Sequence, residues 1–518
     1  MRQLSTALML AVIGVLMAFA AKAQDVTLRT SDGAVKVSGT LLTYDGDYYK
    51  IRSAFGDLTL NSAGVICSGH ACPNPSEFAT TVAISVSHSI GDVLLPALIE
   101  DYVFQNGQSV IRQQDGGDLW DFHVTDPTGH PVSTVQLAVT DTLDGFTNLI
   151  DQKADLNVSF RQADGSEVAR ARQAGIGNLT NASRKHILAL DGLIFITSRQ
   201  NPIRSLSVTQ IADVFSGVIQ NWSEVGGIDA PINLYIRNQS ADLTTLFHSY
   251  VWPAAPDTSF ATATEFKSNS SLSDAVANDP FAIGFTNFSG IRNARALALD
   301  GPCGNKITAS AFNLKAEDYP MTQHLYLYTP KKRPTGFIRG FFAYLDGPTV
   351  QKTIASLGYV GRDVSQLPLT AQGGRLGTAI ANANSPFAFA ALQDMTAAIS
   401  GASRLSTTFR FKQFSSELDT RSLNNATVLA RLVEQGEFDG KTLLIAGFSD
   451  GQGSDAGNQE ISRRRALQVA VAIKSAASKA DLSKVTFETV GFGEVSPLGC
   501  DETEWGRRIN RRVEVWLK

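Results

Sequence analysis

The hydrophobic pattern changes character along the chain, and this change constrains the fold more than any other feature. Between residues 25 and 75, apolar and polar residues alternate with a period of two, and Asp-Gly turns at 32–33 and 45–46 separate the runs. From residue 78 to 362, strands are followed by helical stretches, and a second such pattern begins near residue 405. A chain of 518 residues is too long for one hydrophobic core. We therefore predict three folded domains.

The first 23 residues have the order of a secretory signal peptide. Arg2 is followed by an apolar run at residues 8–20 and by Ala-Lys-Ala at 21–23, which is a small-residue cleavage site. This run is shorter than the roughly 20 residues that a membrane helix needs, and no later run approaches that length. We expect an exported protein with no transmembrane segment in the mature chain.

Charge and cysteine content limit the partners and the chemistry. With 45 Lys+Arg against 49 Asp+Glu, the net charge of −4 gives no basic field, so we expect no nucleic-acid partner. In an oxidising compartment, Cys67 and Cys72 form the simplest disulfide, and Cys303 and Cys500 are then an inter-domain bridge or two separate thiols. A metal site on Cys67, His70 and Cys72 is disfavoured because no fourth ligand is in view.

The sequence shows no pattern typical of an enzyme. It contains only seven histidines, and no triad order, pair of catalytic carboxylates or metal motif stands out. His88, His186 and His248 are expected to be structural. We predict a protein that is not an enzyme and has no cofactor and no metal site.

Four motifs follow one another in the last part of the chain: GFSDGQGSDAGN at 447–458, ISRRRA at 461–466, GFGE at 491–494 and GRRINRRVE at 506–514. Together they resemble the OmpA-like peptidoglycan-binding domain. The resemblance implies a βαβ-type sandwich over residues 405–518 that binds the diaminopimelate unit of the peptidoglycan stem peptide. It also implies a location in the periplasm of a Gram-negative bacterium, associated with the cell wall or the outer membrane.

The resemblance assigns the ligand grip to Asp450 and Arg465. A carboxylate recognises an ammonium group, and a guanidinium forms a bidentate contact with a carboxylate that lysine does not reproduce. Ser449, Asn458 and Arg511 are further candidates at matching positions. The alternative is that Asp450 caps a turn and Arg465 is a solvated helix residue. We place Arg465 nearly opposite the apolar arc of a helix over 462–475, which consists of Ala466, Leu467, Ala470, Val471 and Ile473.

A second group of motifs lies in the middle of the chain: LALDGLIFIT at 188–197, IADVFSG at 211–217, NWSEVGG at 221–227 and DPFAIGF at 279–285. They resemble the phosphate-type substrate-binding proteins of ABC importers. The resemblance implies two α/β lobes that close on a ligand by a hinge. Such proteins hold an oxyanion with backbone amides at helix starts, hydroxyls and one arginine. The candidate ligand-binding residues are Ser87, His88, Ser89, Ser159, Arg161, Arg237, Ser240, Ala241 and Asp242.

The loop at 237–242 departs from that family. Ala241 stands in place of a glycine, and Asp242 stands in place of a hydroxyl residue. An acid at this position repels an anion at close range, although Asp242 is equally explained as a helix N-cap. The middle domain therefore remains open to phosphate or another small anion, to a different small ligand, or to protein contacts alone.

These observations predict an α/β multidomain protein. Its parts are a signal peptide at 1–23, a small all-β module at 24–76, a two-lobed periplasmic-binding-protein-like α/β domain at 78–365, a linker and lead-in at 366–404 and the OmpA-like domain at 405–518. The predicted function is non-covalent peptidoglycan binding by a periplasmic cell-envelope protein that also carries a solute-binding domain. The alternative is an envelope scaffold or adhesion protein whose middle domain docks envelope protein partners and binds no solute.

Overall fold

A computed structural model describes residues 25–74, 78–238, 242–255, 257–301, 303–383, 385–412, 415 and 417–518. The predicted signal peptide lies outside these residues, as do Ser240 and Ala241, and the side chain of Ser89 is not described. Within the described residues, no helix combines the length and the apolar character needed to cross a membrane. The multidomain α/β architecture expected from the sequence is confirmed.

The N-terminal module is one antiparallel sheet with the strand order β4-β3-β2-β1-β5. Its strands are β1 (Asp25–Thr30), β2 (Lys36–Tyr44), β3 (Tyr48–Ser53), β4 (Gly56–Asn61) and β5 (Val65–Ser68). Gly33 and Gly46 have φ values of 73° and 92°, which the Asp-Gly turns require and which glycine adopts without strain. The predicted disulfide between Cys67 and Cys72 is present after β5.

The middle domain is built on one curled sheet with the order β14-β13-β15-β11-β19-β10-β6-β9-β8-β7. Its strands are β6 (Thr80–Ser87), β7 (Ser109–Gln114), β8 (Leu119–Thr125), β9 (Pro131–Thr140), β10 (Leu156–Ser159), β11 (Lys185–Thr197), β12 (Ser205–Ser207), β13 (Asn233–Arg237), β14 (Thr264–Phe266), β15 (Ala282–Asn287), β16 (Arg295–Ala296), β17 (Ala298–Asp300), β18 (Lys306–Ile307) and β19 (Thr322–Tyr328). Its helices are α1 (His88–Gly91), α2 (Leu94–Gln105), α3 (Thr142–Ile150), α4 (Gly165–Gln173), α5 (Val208–Ser216), α6 (Asp242–Val251), α7 (Asn269–Asn278), α8 (Ala311–Lys315), α9 (Gly336–Leu345) and α10 (Thr349–Ser356).

The long strand β11 divides this domain into two lobes. As far as Gly192 it pairs with β19, and from Leu193 onward it pairs with β15. Strands β6 to β10 form the first lobe, and strands β13 to β16 form the second, next to a small sheet of β12, β17 and β18. The predicted two-lobed arrangement is therefore present, with β11 and β19 at the crossing between the lobes.

The C-terminal domain is a sheet with helices on both faces, in the order β20-β21-β24-β22-β23. Its elements are β20 (Gln366–Pro368), α11 (Gly373–Asn382), α12 (Pro386–Ala398), β21 (Ser403–Phe409), α13 (Thr420–Glu434), β22 (Thr442–Gly447), α14 (Asp455–Ala476), β23 (Thr486–Gly491), α15 (Glu504–Asn510) and β24 (Val513–Leu517). Alternate residues of β22 contact opposite faces: Leu443 and Ile445 pack under α13 and α14, whereas Leu444 and Ala446 pack under α11 and α12.

Two sequence-based expectations differ from this structure. Residues 366–404, expected to be linker and lead-in with a possible helix near 387–400, form β20, α11 and α12, of which α12 corresponds to that helix. Their alanines and Leu392 cover one face of the sheet. On α14, Leu467 and Val471 are exposed and do not belong to the buried arc. That face instead consists of small and branched residues that fit closely against the sheet: Ser462, Ala466, Val469, Ala470 and Ile473.

Candidate functional sites

The first candidate site gathers one carboxylate and two arginines at the top of the C-terminal sheet. Asp450 follows β22, and its Oδ2 accepts a hydrogen bond of 2.5 Å from Nη1 of Arg511. Arg465, on α14, places its guanidinium 5.2 Å from the centre of the Phe411 ring. The buried Nε of Arg465 has no hydrogen-bond partner among the described residues. The structure therefore brings three of the predicted residues together and leaves one guanidinium edge unsatisfied.

The electrostatics of this site hold Arg465 in an unfavourable environment. Burial lowers the pKa of the Arg465 guanidinium, the neighbouring Arg511 lowers it further, and Asp450 raises it. A half-buried cation whose main neighbour is a second cation is stabilised by an additional negative charge. The geometry therefore suits a ligand that presents a carboxylate to the arginines and an ammonium group to Asp450.

The loop that carries Asp450 is supported from below. The backbone N–H of Gly451 donates to Oδ2 of Asp501 at 2.8 Å, and Nδ2 of Asn510 donates to the other oxygen of Asp501 at 2.9 Å. Nδ2 of Asn458 donates to Oε2 of Glu494 at 3.1 Å, so Asn458 fixes the loop. Ser449 is buried, and its hydroxyl lacks a partner in the described part of the chain.

The second candidate site lies between the two lobes of the middle domain. Ser87 and Thr140 are register partners at the carboxyl ends of the parallel strands β6 and β9. Their hydroxyl groups are buried and make no hydrogen bond to any described residue. Arg237 ends β13 in the other lobe, and its buried Nε is likewise unpartnered within the described ranges. Ligands of open α/β sheets bind at such strand ends, so these groups mark the candidate solute site between the lobes, called the cleft below.

Acidic and basic side chains lie together at the cleft. Burial raises the pKa of Asp92, and Asp118 raises it further, whereas His88, Arg237 and Arg112 lower it. Burial also lowers the pKa of the Arg237 guanidinium, and the charge of Asp92 partly offsets this decrease. His88 begins α1, directly after the unpartnered Ser87. The predicted residues Ser87, His88 and Arg237 are therefore close neighbours, accompanied by carboxylates.

Asp242 joins the two lobes directly. It is the first residue of α6, and its Oδ1 accepts a hydrogen bond of 2.8 Å from Oγ1 of Thr142, the first residue of α3 in the opposite lobe. Burial raises the pKa of the Asp242 carboxyl, and Asp141 raises it further, while His88 and Arg161 lower it. The Asp242 carboxylate therefore lies at the start of α3, where we expect an anionic solute to bind.

Two other candidates are already engaged within the first lobe. Arg161 forms a bidentate ion pair with the buried Glu167, with hydrogen bonds of 2.7 and 2.8 Å. Ser159 donates its hydroxyl to the backbone oxygen of Arg161 at 2.9 Å. Arg161 still acts on Asp242 through its charge. Its donors are nevertheless committed to Glu167, so it is not a free anion-binding group.

Thr140, Thr142 and Asp501 are among the residues of these sites that the sequence analysis missed. Thr140 and Thr142 flank Asp141 where a strand passes into a helix, and the same strand-to-helix signal identified Ser87 and His88. That signal was available and was not applied to residues 140–142. Asp501 lies 50 residues from its partner Gly451, and no local pattern indicates that contact.

Comparison with known proteins finds relatives of the middle and C-terminal domains. Residues 123–347 match the family model of the PBP superfamily domain, and residues 410–511 match that of the OmpA family. The chain is 28% identical over 202 residues to the phosphate-binding protein PstS of Bacillus subtilis, covering 38% of this chain and 64% of that protein, slightly less than two thirds. It is 32% identical over 98 residues to the outer-membrane lipoprotein YfiB of Pseudomonas aeruginosa, covering 19% of this chain and 55% of that protein.

A solved structure with a similar outline is an ABC-type phosphate transport receptor from Vibrio cholerae, at 21% identity and a TM-score of 0.39. The match covers 54% of this chain and 99% of that one. One multidomain α/β chain thus carries a PBP superfamily domain at residues 123–347 and an OmpA family domain at residues 410–511.

Proposed function

We propose that this protein is a periplasmic envelope protein that binds peptidoglycan non-covalently through Asp450, Arg465 and Arg511. The observation that carries the proposal is the unsatisfied, half-buried guanidinium of Arg465 beside the Asp450–Arg511 pair. A stem-peptide residue such as diaminopimelate carries an ammonium and a carboxylate on one carbon. Its carboxylate would satisfy Arg465 while its ammonium group contacts Asp450.

A second role, binding of a small solute such as phosphate or another anion between the lobes, is favoured by a separate observation. Ser87, Thr140 and Arg237 each place a buried donor without a described partner at strand ends that face the same cleft. Buried polar groups are normally hydrogen-bonded, so three such groups in one place favour a ligand site. The relatives named as phosphate-binding proteins support the same role.

The wall-binding role is tested by isothermal titration calorimetry of the whole protein with soluble muropeptide. Arg465→Ala removes the guanidinium, and we expect its loss to weaken binding about 10- to 100-fold, as for one charge-assisted hydrogen bond. Arg465→Lys should recover only part of the affinity, because an ammonium group cannot form the bidentate contact. Asp450→Asn should weaken binding by removing the charge that faces the ammonium group.

The matched control is Arg464→Ala, one position away on the same helix. Arg464 is exposed and pairs with Glu460 at 3.2 Å, so its removal should leave muropeptide affinity unchanged. Absence of binding by the unaltered protein, or equal losses in the Arg464 and Arg465 variants, would show that this site does not hold the wall.

A further inference from the structure

The start of α3 offers an anion-binding environment that the chain itself occupies. The N-cap residue Asp141 makes no side-chain hydrogen bond to the first turn of this nine-residue helix. Its first backbone N–H groups therefore have no side-chain cap, and their partial positive charge favours a nearby anion. The buried hydroxyl of Ser87, which has no hydrogen-bond partner in the described part of the chain, lies beside Thr140, two residues before α3 begins.

Asp242 supplies the negative charge at this place. Its carboxylate reaches across from the second lobe to the hydroxyl of Thr142 at 2.8 Å, and Thr142 itself is 7% exposed. His88 and Arg161 act on Asp242 as favourable positive neighbours. A solute anion held between the lobes would meet the same groups. The carboxylate and the solute therefore compete for one position.

We propose that Asp242 is an internal anion that sets the affinity of the cleft, bridging the lobes and weakening the binding of anionic solutes while it is ionised. This inference rests on the proposed solute-binding role of the cleft. Like charges within a few ångströms repel strongly in a partly buried site, and Asp92 and Asp141 add to the negative potential. Arg237, whose Nε has no partner among the described residues, is a cation available to a solute.

The test is a titration of the whole protein with inorganic phosphate by calorimetry near neutral pH. Asp242→Asn keeps an oxygen acceptor for Thr142 and removes the charge, so we expect phosphate to bind at least about tenfold more tightly than to the unaltered protein. Asp242→Ser provides a second neutral variant if the asparagine disturbs folding. Thr142→Val breaks the bridge but keeps the charge, and it should bind phosphate no better than the unaltered protein.

The matched control is Glu265→Gln, which removes an exposed acid from β14 in the same lobe as Asp242 and should leave phosphate affinity unchanged. Equal affinity in the unaltered protein and both Asp242 variants would overturn the inference and leave the solute-binding role standing. No phosphate binding by any variant would overturn both. A gain in Thr142→Val equal to that in Asp242→Asn would show that the bridge, and not the charge, excludes the anion.

Discussion

Asp191 places a carboxyl group at the crossing of the two lobes, where its ionisation should be visible as a change in stability. The side chain is fully buried in β11, and its oxygens accept hydrogen bonds from the Asn287 amide and the Ser289 hydroxyl, both at 2.9 Å, and from the Gly192 N–H at 2.8 Å. Burial nevertheless dominates and raises the pKa of Asp191 from the ordinary 3.8 to about 6.

The sign and size of the effect follow from this shift. Because the pKa in the folded protein lies above that in the unfolded chain, the folded state binds the proton more tightly. The stabilising contribution is therefore complete below about pH 3.8 and is lost as the pH rises through about 6. The whole difference is about 3 kcal/mol, of which about 2 kcal/mol falls between about pH 4.5 and about pH 7.5.

Asp191→Asn removes this titration. The effect of the amide itself on stability does not vary with pH, so the pH dependence is diagnostic. Relative to the unaltered protein, the variant should become more stable by about 2 kcal/mol as the pH rises from about 4.5 to about 7.5, because only the unaltered protein loses the Asp191 contribution. Hydrogen exchange of peptides from β11, followed through urea unfolding, isolates the middle domain in this multidomain chain. The control is Asp213→Asn, on α5 of the second lobe. Its difference in unfolding free energy from the unaltered protein should not change with pH. A difference between Asp191→Asn and the unaltered protein that stays constant with pH would refute the reasoning.

Two further predictions concern the C-terminal domain and its attachment. In urea unfolding, Leu392→Ala should lower the unfolding free energy of the C-terminal domain by about 3 kcal/mol, because Leu392 is only 6% exposed in the cluster between α12 and the sheet. Phe389 lies on the same helix at 53% exposure, so Phe389→Ala should change this free energy by less than about 0.5 kcal/mol. Equal effects would mean that this helix does not belong to the domain. Replacing Cys303 and Cys500 by serine opens a loop of 197 residues, and calorimetry should show a loss of up to about 5 kcal/mol and more widely separated domain transitions; unchanged transitions would contradict this.

The sequence predicted elements well where neighbouring residues alone determine the structure. The alternation and the Asp-Gly turns of the N-terminal module correspond directly to paired strands with left-handed glycines at Gly33 and Gly46. In the C-terminal domain, Asp450 follows β22, Arg511 follows α15 and Arg465 lies near the middle of α14, and the fold places these three residues side by side.

For residues 366–404 the sequence predicted a linker and lead-in with one possible helix near 387–400, which corresponds to α12, but it did not predict that the segment covers a face of the sheet. Residues 366–404 are rich in alanine, glycine and serine, which is typical of a linker. Small side chains nevertheless allow α11 and α12 to approach the sheet closely, and burial of Leu392 and Met395 compensates for the small area of each alanine. The helix near 387–400 could be predicted from the sequence, whereas α11 and the packing of both helices on the sheet could not.

Contacts between distant residues lie beyond any local pattern. Thr142 and Asp242 are 100 residues apart, and their hydrogen bond exists only because two lobes are folded against each other. The acid at position 242 was noted from the sequence as unfavourable to an anion, but its partner could not be named. The choice between a bridge and two thiols for Cys303 and Cys500 was open for the same reason, and the structure contains the bridge.

The interface between the middle and C-terminal domains has the character of a fixed contact. Arg404 of β21 is 2% exposed and holds Asp318 of the middle domain with hydrogen bonds of 2.6 and 3.2 Å. Removing one partner of such a buried pair leaves an uncompensated charge, which costs about 3–5 kcal/mol. Arg421 adds an ion pair of 3.0 Å to Glu317, the residue before Asp318. The two domains are therefore held together by specific charges as well as by the disulfide.

This attachment reaches the proposed wall-binding loop. Cys500 is bonded to Cys303 of the second lobe, and the next residue, Asp501, accepts the backbone N–H of Gly451 beside Asp450. The loop proposed to bind peptidoglycan is thus connected to the middle domain through the disulfide and the Asp501 hydrogen bond. Under the proposed wall attachment, the solute cleft is stationary. A stationary cleft cannot carry solute by diffusion to a distant permease, so the architecture favours sensing or scaffolding at the wall over bulk import.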